Sequence, residues 1–258
     1  MNKKESLIIF FLLSIFLFTK NSLANNRNLN ILAEPQISKA LTKIVRLYSQ
    51  QSNTVVSINF NSSSSLFNEI ESGEPSDIFI SAHPKYIELL KQKGLVDVYN
   101  IEYLASDKIV LTTASDNKNI TRNFLIKKLS LAEILSIINA QKANLLIENQ
   151  NFSSGDRIKS VLTNYNFPDL KIFNKIDEDR FSIIKDIKED ISNYAFISLS
   201  QIKNRNDLKI INMKEDLLMH YQAFIIAGNN MDIAREFLKF LKSNKAKKIF
   251  LDSGFSLN

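Results

Sequence analysis

Thr54-Val55-Val56-Ser57-Ile58-Asn59-Phe60, then Asn61-Ser62-Ser63-Ser64-Ser65, then Leu66-Phe67-Asn68-Glu69-Ile70-Glu71-Ser72, and after a short connection Asp77-Ile78-Phe79-Ile80-Ser81: this stretch decides the fold. The first seven residues are rich in β-branched side chains and read as a strand. Leu66, Phe67 and Ile70 share one face of a helix over 64–72. Residues 77–81 read as a second, short apolar strand. Strand, helix, strand in this order is the unit of a parallel sheet.

The same alternation extends outward. Upstream, 29–33 reads as a strand and 36–50 as a helix, with Ile37, Leu41, Ile44, Val45 and Tyr48 at helical spacing. Downstream, a helix over 85–93 is closed by Gly94, and 109–113 is a strand. The pattern then restarts. Residues 131–138 are helical, 145–147 form a strand, and 156–165 form a helix with Ile158, Val161, Leu162 and Tyr165 inward. A helix over 181–189, strands over 194–198 and 223–227, and a helix over 233–241 follow. The expected fold is therefore α/β with two lobes, each a mainly parallel sheet flanked by helices. Residues 27–110 together with 224–258 make one lobe, and 111–223 make the other. With no long linker between them, two strands that cross between the lobes are expected to act as a hinge.

Composition fits this. The 258 residues are 45% hydrophobic and 23% charged, with five Gly and four Pro, which excludes disordered and collagen-like classes. The net charge is +6, and no Lys/Arg run is interleaved with stacking aromatics, so nucleic acid is not an expected partner. The Lys-Ala-Lys-Lys cluster at 245–248 reads as the solvated end of a helix, where cations suit the dipole. Lys3 and Lys4 precede an apolar run over 7–18, and Ser22-Leu23-Ala24 follows as a small-x-small site. Residues 1–24 are read as a secretory signal cleaved after Ala24, placing the mature chain in the periplasm. The chain has no Cys, hence no disulfide, lipid attachment site or thiolate metal site.

In open α/β sheets ligands bind beyond the carboxyl ends of strands. Asn61-Ser62-Ser63-Ser64-Ser65 follows one strand, Phe152-Ser153-Ser154-Gly155 another, and Ser198-Leu199-Ser200 a third. Two of these loops lead into helix N-termini, where free N–H groups and the helix dipole favour an anion and Ser hydroxyls add donors. Ser is also a common N-cap, but four in succession exceed what a cap requires.

The run Phe60–Leu66 followed by Glu69-Ile70-Glu71-Ser72-Gly73-Glu74-Pro75-Ser76-Asp77-Ile78-Phe79-Ile80-Ser81-Ala82 resembles the periplasmic molybdate-binding proteins of ABC transporters. The likeness continues weakly to Phe240-Leu241 and Ser253-Gly254-Phe255. It implies a tetrahedral dianion, molybdate or tungstate, held by uncharged donors from five loops and passed to a membrane permease. By position those donors fall at Gln36, Ser63, Ser154, Arg180 and Ser198. Gln36 stands where the family usually has Ser, and Ser198 where it often has Tyr. Glu34 sits in a loop normally made of small residues; pointing inward it would repel a dianion, and Arg180 could neutralise it. The alternatives are another oxyanion or small polar solute and, further off, an exported hydrolase. No cofactor and no cation site are expected, and the chain is expected to be a monomer. His83 and His220 are the only histidines, without a His-Glu-x-x-His pattern, and no Gly-x-Ser-x-Gly elbow is present. His83, before Pro84 at a helix start, is read as a surface residue rather than a base, and Asp77 as structural.

Overall fold

The computed structural model describes residues 27–120, 122–175, 182–190, 193–228 and 230–257, so the expected signal segment lies outside the described residues. The strands are β1 (Arg27–Ala33), β2 (Thr54–Phe60), β3 (Ile78–Ser81), β4 (Val96–Ala114), β5 (Asn144–Glu148), β6 (Lys171–Lys175), β7 (Tyr194–Ser198), β8 (Leu208–Ile211) and β9 (Leu217–Ile226). The helices are α1 (Ser38–Ser52), α2 (Ser63–Glu71), α3 (Pro84–Gln92), α4 (Arg122–Ile126), α5 (Leu131–Ala140), α6 (Ser153–Leu162), α7 (Ser182–Glu189), α8 (Leu199–Ile202), α9 (Met231–Leu241) and α10 (Asn244–Asp252). A 3-10 turn, Pro35–Ile37, links β1 to α1.

The strands order as β2-β1-β3-β9-β4-β7-β5-β6, with β8 also on β4. At one end β1 pairs in parallel with β2 and β3; at the other, β5 pairs in parallel with β6 and β7. Between these parallel trios run β9 and β4, antiparallel to each other. The mixed sheet is thus two α/β halves carried on two long strands. β4 has 19 residues where the sequence suggests a short strand over 109–113, and its ladder to β9 slips between Val96 and Ile101 and again between Tyr103 and Ala105. These irregularities let one strand serve both halves.

Side-chain alternation assigns the core. In the first half, Ile31, Ile78, Ile80, Ala223 and Ile225 face α1, α9 and α10 and meet Leu41, Ile44, Phe237 and Phe250. Their neighbours Leu32, Phe79, Phe224 and Ile226 face the other way, onto Leu66, Phe67 and Ile70 of α2 and Ile87 and Leu90 of α3. Successive strand residues point to opposite faces, so a sheet covered on both sides must be apolar throughout. The second half repeats this, with Ile109, Leu111, Leu145, Ile147 and Phe196 on one face and Val110, Leu146, Ala195 and Ile197 on the other. The packing changes hands inside the crossing strands: Leu104 and Ala105 belong to the first core and Ile109 to the second, Met219 to the second and Tyr221 to the first.

Two readings of the sequence are corrected here. His83 is buried, because its ring packs edge-on against Tyr86 at 4.6 Å and its Nε2 lies 3.3 Å from the carbonyl of Gln150 in the other half. Lys245–Lys248 does not end a helix; it lies in α10, whose N-terminus is capped by Ser243, and stays solvated on the exposed face. Asp77 is structural as expected: its Oδ2 accepts from Asn30 N–H at 2.7 Å and ties β1 to the start of β3.

Candidate functional site

Three strand ends and the loops that follow them meet where the two halves face each other. β1 delivers Glu34 and the Pro35–Ile37 turn. The loop after β2 delivers Ser63 at the first turn of α2. The end of β5 delivers Glu148, and the loop after it Ser153 and Ser154 at the first turn of α6. Glu34, Gln36, Ser63, Ser153 and Ser154 are all buried.

Local chemistry explains each placement. Ser62, not Ser63, caps α2: its Oγ accepts from Ser65 N–H at 3.2 Å. That frees the Ser63 hydroxyl to point into the site. No side chain caps α6, so Ser153 and Ser154 are likewise free of that duty. α6 can start against β5 only because residue 155 is Gly. A Cβ there would lie 2.1 Å from the Asn149 carbonyl oxygen and 2.4 Å from that of Glu148.

The two carboxylates organise the donors. Glu34 Oε1 accepts from the hydroxyls of Ser63, Ser81 (2.7 Å) and Ser153 (2.5 Å) and, at 3.3 Å, from Ala82 N–H. Ser153 comes from the opposite half, so this one oxygen joins the two. Glu148 Oε2 accepts from the Ser154 hydroxyl and from Gln36 Nε2 at 3.3 Å, a second junction in the reverse direction. Burial pushes the Glu148 carboxyl up, against the hydrogen bonds it accepts. Beneath lies Asp107, fully buried on β4. Its carboxylate accepts from Ser200 N–H at 3.2 Å and from the Ser200 hydroxyl at 2.5 Å, and burial pushes it up to about 7. The buried Tyr221 phenol is pushed well above its ordinary value by burial, and then by the charges of Glu34, Asp107 and Glu148.

Of the positions carried over from the resemblance, Gln36, Ser63 and Ser154 converge here. Ser198 is buried at the end of β7, its hydroxyl without a hydrogen-bond partner among the described residues. Arg180 lies outside the described residues. Sequence reasoning misses Ser81, Ser153, Glu148, Asp107 and Tyr221 as members of the cluster. It marks Glu34 only as a departure; in the structure Glu34 points inward. An open groove of about 690 Å³ adjoins the cluster, shared by Ala82 and Lys91 of the first half and Ser153, Asp156, Arg157 and His220 of the second. Among the described residues no group of three or more His, Cys, Asp or Glu is arranged to hold a metal ion.

A family model described as bacterial extracellular solute-binding protein matches residues 29–256. The chain belongs to that family. The molybdate-binding protein ModA of Haemophilus influenzae is 26% identical over 249 residues, covering 91% of this chain and 92% of its own. ModA of Escherichia coli is 22% identical over 247 residues, covering 94% of each. Among solved structures, the periplasmic molybdate-binding protein of Azotobacter vinelandii superposes with a TM-score of 0.67 at 19% identity, covering 89% of this chain and 99% of that one. The solute-binding fold accounts for the architecture: two α/β lobes, two crossing strands and a cluster of donors between the lobes.

Proposed function

We propose that this solute-binding protein captures a small tetrahedral oxyanion between its lobes in the periplasm and delivers it to the membrane permease of an ABC transporter. One observation carries the reading. Three hydroxyls and a backbone N–H, contributed by both lobes, converge on a single carboxylate oxygen. A cage that holds one oxyanion oxygen in this way is chemically an oxyanion site, with the first turns of α2 and α6 adding positive potential. Molybdate and tungstate are the ions to test first, because ModA relatives cover nearly the whole chain. In this reading the lobes hinge on β4 and β9; the change of core partners around Ser106–Lys108 and Met219–Tyr221 supports it.

Thermal melting and calorimetric titration with molybdate, tungstate, sulfate and phosphate test the reading. A ligand that binds only the folded chain raises its stability by mass action. A rise in melting temperature with at least one of these ions is expected. The absence of any response at millimolar concentration would end the proposal.

Two serines separate binding from folding. Ser63→Ala removes a donor from the cage while Ser62 still caps α2. It is expected to weaken oxyanion affinity by roughly tenfold to a hundredfold, since Glu34 then loses a hydrogen bond to its charge, worth about 1.5–3 kcal/mol, and opposes the ligand more strongly. Ser62→Ala should do the reverse, lowering stability by about 1 kcal/mol and leaving affinity unchanged. Equal effects of the two variants on titration would show that the Ser63 hydroxyl has no part in binding.

A further inference from the structure

The donors of the cage are already engaged, and the carboxylate they hold keeps one oxygen unpaired. Glu34 Oε2 is buried without a hydrogen-bond partner among the described residues. So is Gln36 Oε1. Its partner atom on the same amide, Nε2, donates to the Glu148 carboxyl at 3.3 Å. The Ser198 and Tyr221 hydroxyls, also buried and unpartnered, can donate or accept. A bare oxyanion can only accept. Against Glu34 Oε2 it sets acceptor to acceptor and charge to like charge.

Among the described residues the surroundings do not relieve this. α2 contributes the Ser63 hydroxyl to Glu34; β3 contributes the Ser81 hydroxyl, followed by Ala82 N–H; α6 contributes the Ser153 hydroxyl, with Asp156 and Arg157 out on the groove. β4, β5 and β9 place Asp107, Glu148 and Tyr221 in electrostatic reach of one another, and Glu148 and Tyr221 in reach of Glu34. Among the described residues no cation pairs with Glu34. Buried carboxylates in low dielectric resist further negative charge, and burial already holds Glu148 and Asp107 above the ordinary carboxylate range.

We propose that this site takes its oxyanion together with one proton, held between a ligand oxygen and Glu34 Oε2. This rests on the oxyanion reading above and narrows it. An oxyanion that carries its own proton near neutrality, such as hydrogen phosphate, fits as it is. A fully ionised dianion, such as sulfate, molybdate or tungstate, binds only by drawing one proton from solvent. Its affinity therefore falls about tenfold per pH unit across roughly pH 6 to 8, the slope that linkage requires for one proton taken up.

Calorimetric titration in buffers of different ionisation enthalpy counts that proton directly on the wild-type protein. One proton is expected for molybdate and for sulfate. None is expected for phosphate measured on the alkaline side of its second ionisation. In Glu34→Gln the amide donates in place of the shared proton, so the count for molybdate should fall to zero and its pH slope should vanish. Phosphate and sulfate, which are alike in size, should lose their difference at neutral pH. Wild-type molybdate binding without proton uptake would overturn the proposal. So would a slope that persists in Glu34→Gln, which would place the proton on Glu148, Asp107 or His83. So would tighter, pH-independent binding of every ion by Glu34→Ala, which would mean that Glu34 is displaced by the ligand rather than facing it. Failure of every oxyanion to bind the wild-type protein would instead overturn the parent reading.

Discussion

Gly155→Ala is expected to lower the melting temperature by about 5–10 °C, corresponding to a net loss of roughly 2–3 kcal/mol in a chain of this size. Two effects oppose each other. Residue 155 lies in the first turn of α6, and in a helix Ala is preferred to Gly by about 1 kcal/mol. The new Cβ, however, would lie 2.1 Å from one carbonyl oxygen and 2.4 Å from another. Both belong to backbone at the end of β5, whose Ile147 and Glu148 are in register with Asn174 and Lys175 of β6. That backbone cannot retreat without giving up its ladder, so the clash wins. The helix start must shift, carrying Ser153 and Ser154 out of the cluster, and oxyanion affinity should fall with stability. Gly228→Ala is the control, since a Cβ there meets nothing within 4 Å. Melting of Gly155→Ala within about 2 °C of wild type, at the roughly 2–4 °C per kcal/mol typical of such chains, would show that β5 and α6 are not locked together as described.

Alkaline conditions should weaken the fold, and Asp107→Asn should remove much of that weakness. Burial pushes the Asp107 carboxyl up to about 7, whereas in the unfolded chain it titrates near its usual value of about 3.9. The folded state therefore holds this proton more tightly. The stability it confers is complete below about pH 4 and is lost progressively as pH rises from there through about 7. Glu148 is shifted in the same direction by burial and adds to the loss. Asp207 acts oppositely: its hydrogen bond from Arg205 lowers it to about 2, so its contribution is present above about pH 4 and lost on acidification. Stability should peak between about pH 4 and pH 5. From there to pH 8 it should decline by about 2–4 kcal/mol, since each proton that only the folded state retains makes stability fall by about 1.36 kcal/mol per pH unit. The introduced amide could still accept from Ser200 N–H and could donate to the Ser200 hydroxyl, so the variant should keep its packing and lose most of the decline. Urea unfolding of both proteins at the two ends of that range measures it. An equal decline in the variant would exonerate Asp107.

The elements most legible in the sequence are those whose side chains obey one period. α1 is readable because Leu41, Ile44, Val45 and Tyr48 make a single buried stripe, and β3 because all four of its residues are buried. The crossing strands are not. β9 is buried at alternate positions from Leu217 to Tyr221 and continuously from Ala223 onward, because it leaves the groove and enters a sheet covered on both faces. β4 carries Glu102, Asp107 and Lys108 in mid-strand, which reads as a loop until Asp107 is seen bonded to Ser200. In the site, the serine loops are visible because they carry more hydroxyls than one helix cap uses: Ser62 caps α2 and leaves Ser63 over. Glu148 is hidden because an acid after the run Leu145–Ile147 looks like a strand reaching solvent. Glu34 is hidden because a loop carboxylate is ordinarily solvated, and only the fold brings Ser63, Ser81 and Ser153 around it.

The route of the chain through its two halves also sets an order of assembly. The second half is one uninterrupted insertion between β4 and β9. The first is built from both ends of the chain, and its strand β3 finds its antiparallel neighbour only in β9. A chain made from its N-terminus must therefore carry an unpaired β3 edge, with Phe79 uncovered by Phe224, until β9 has been made. The last step is made by the tail: Phe255 enters the first core, and Ser256 exchanges backbone hydrogen bonds of 2.8 Å with Ser106 in the middle of a crossing strand. Loss of those few terminal residues would leave the inserted half intact and the enclosing half unsealed, a species prone to pair edge to edge with another copy.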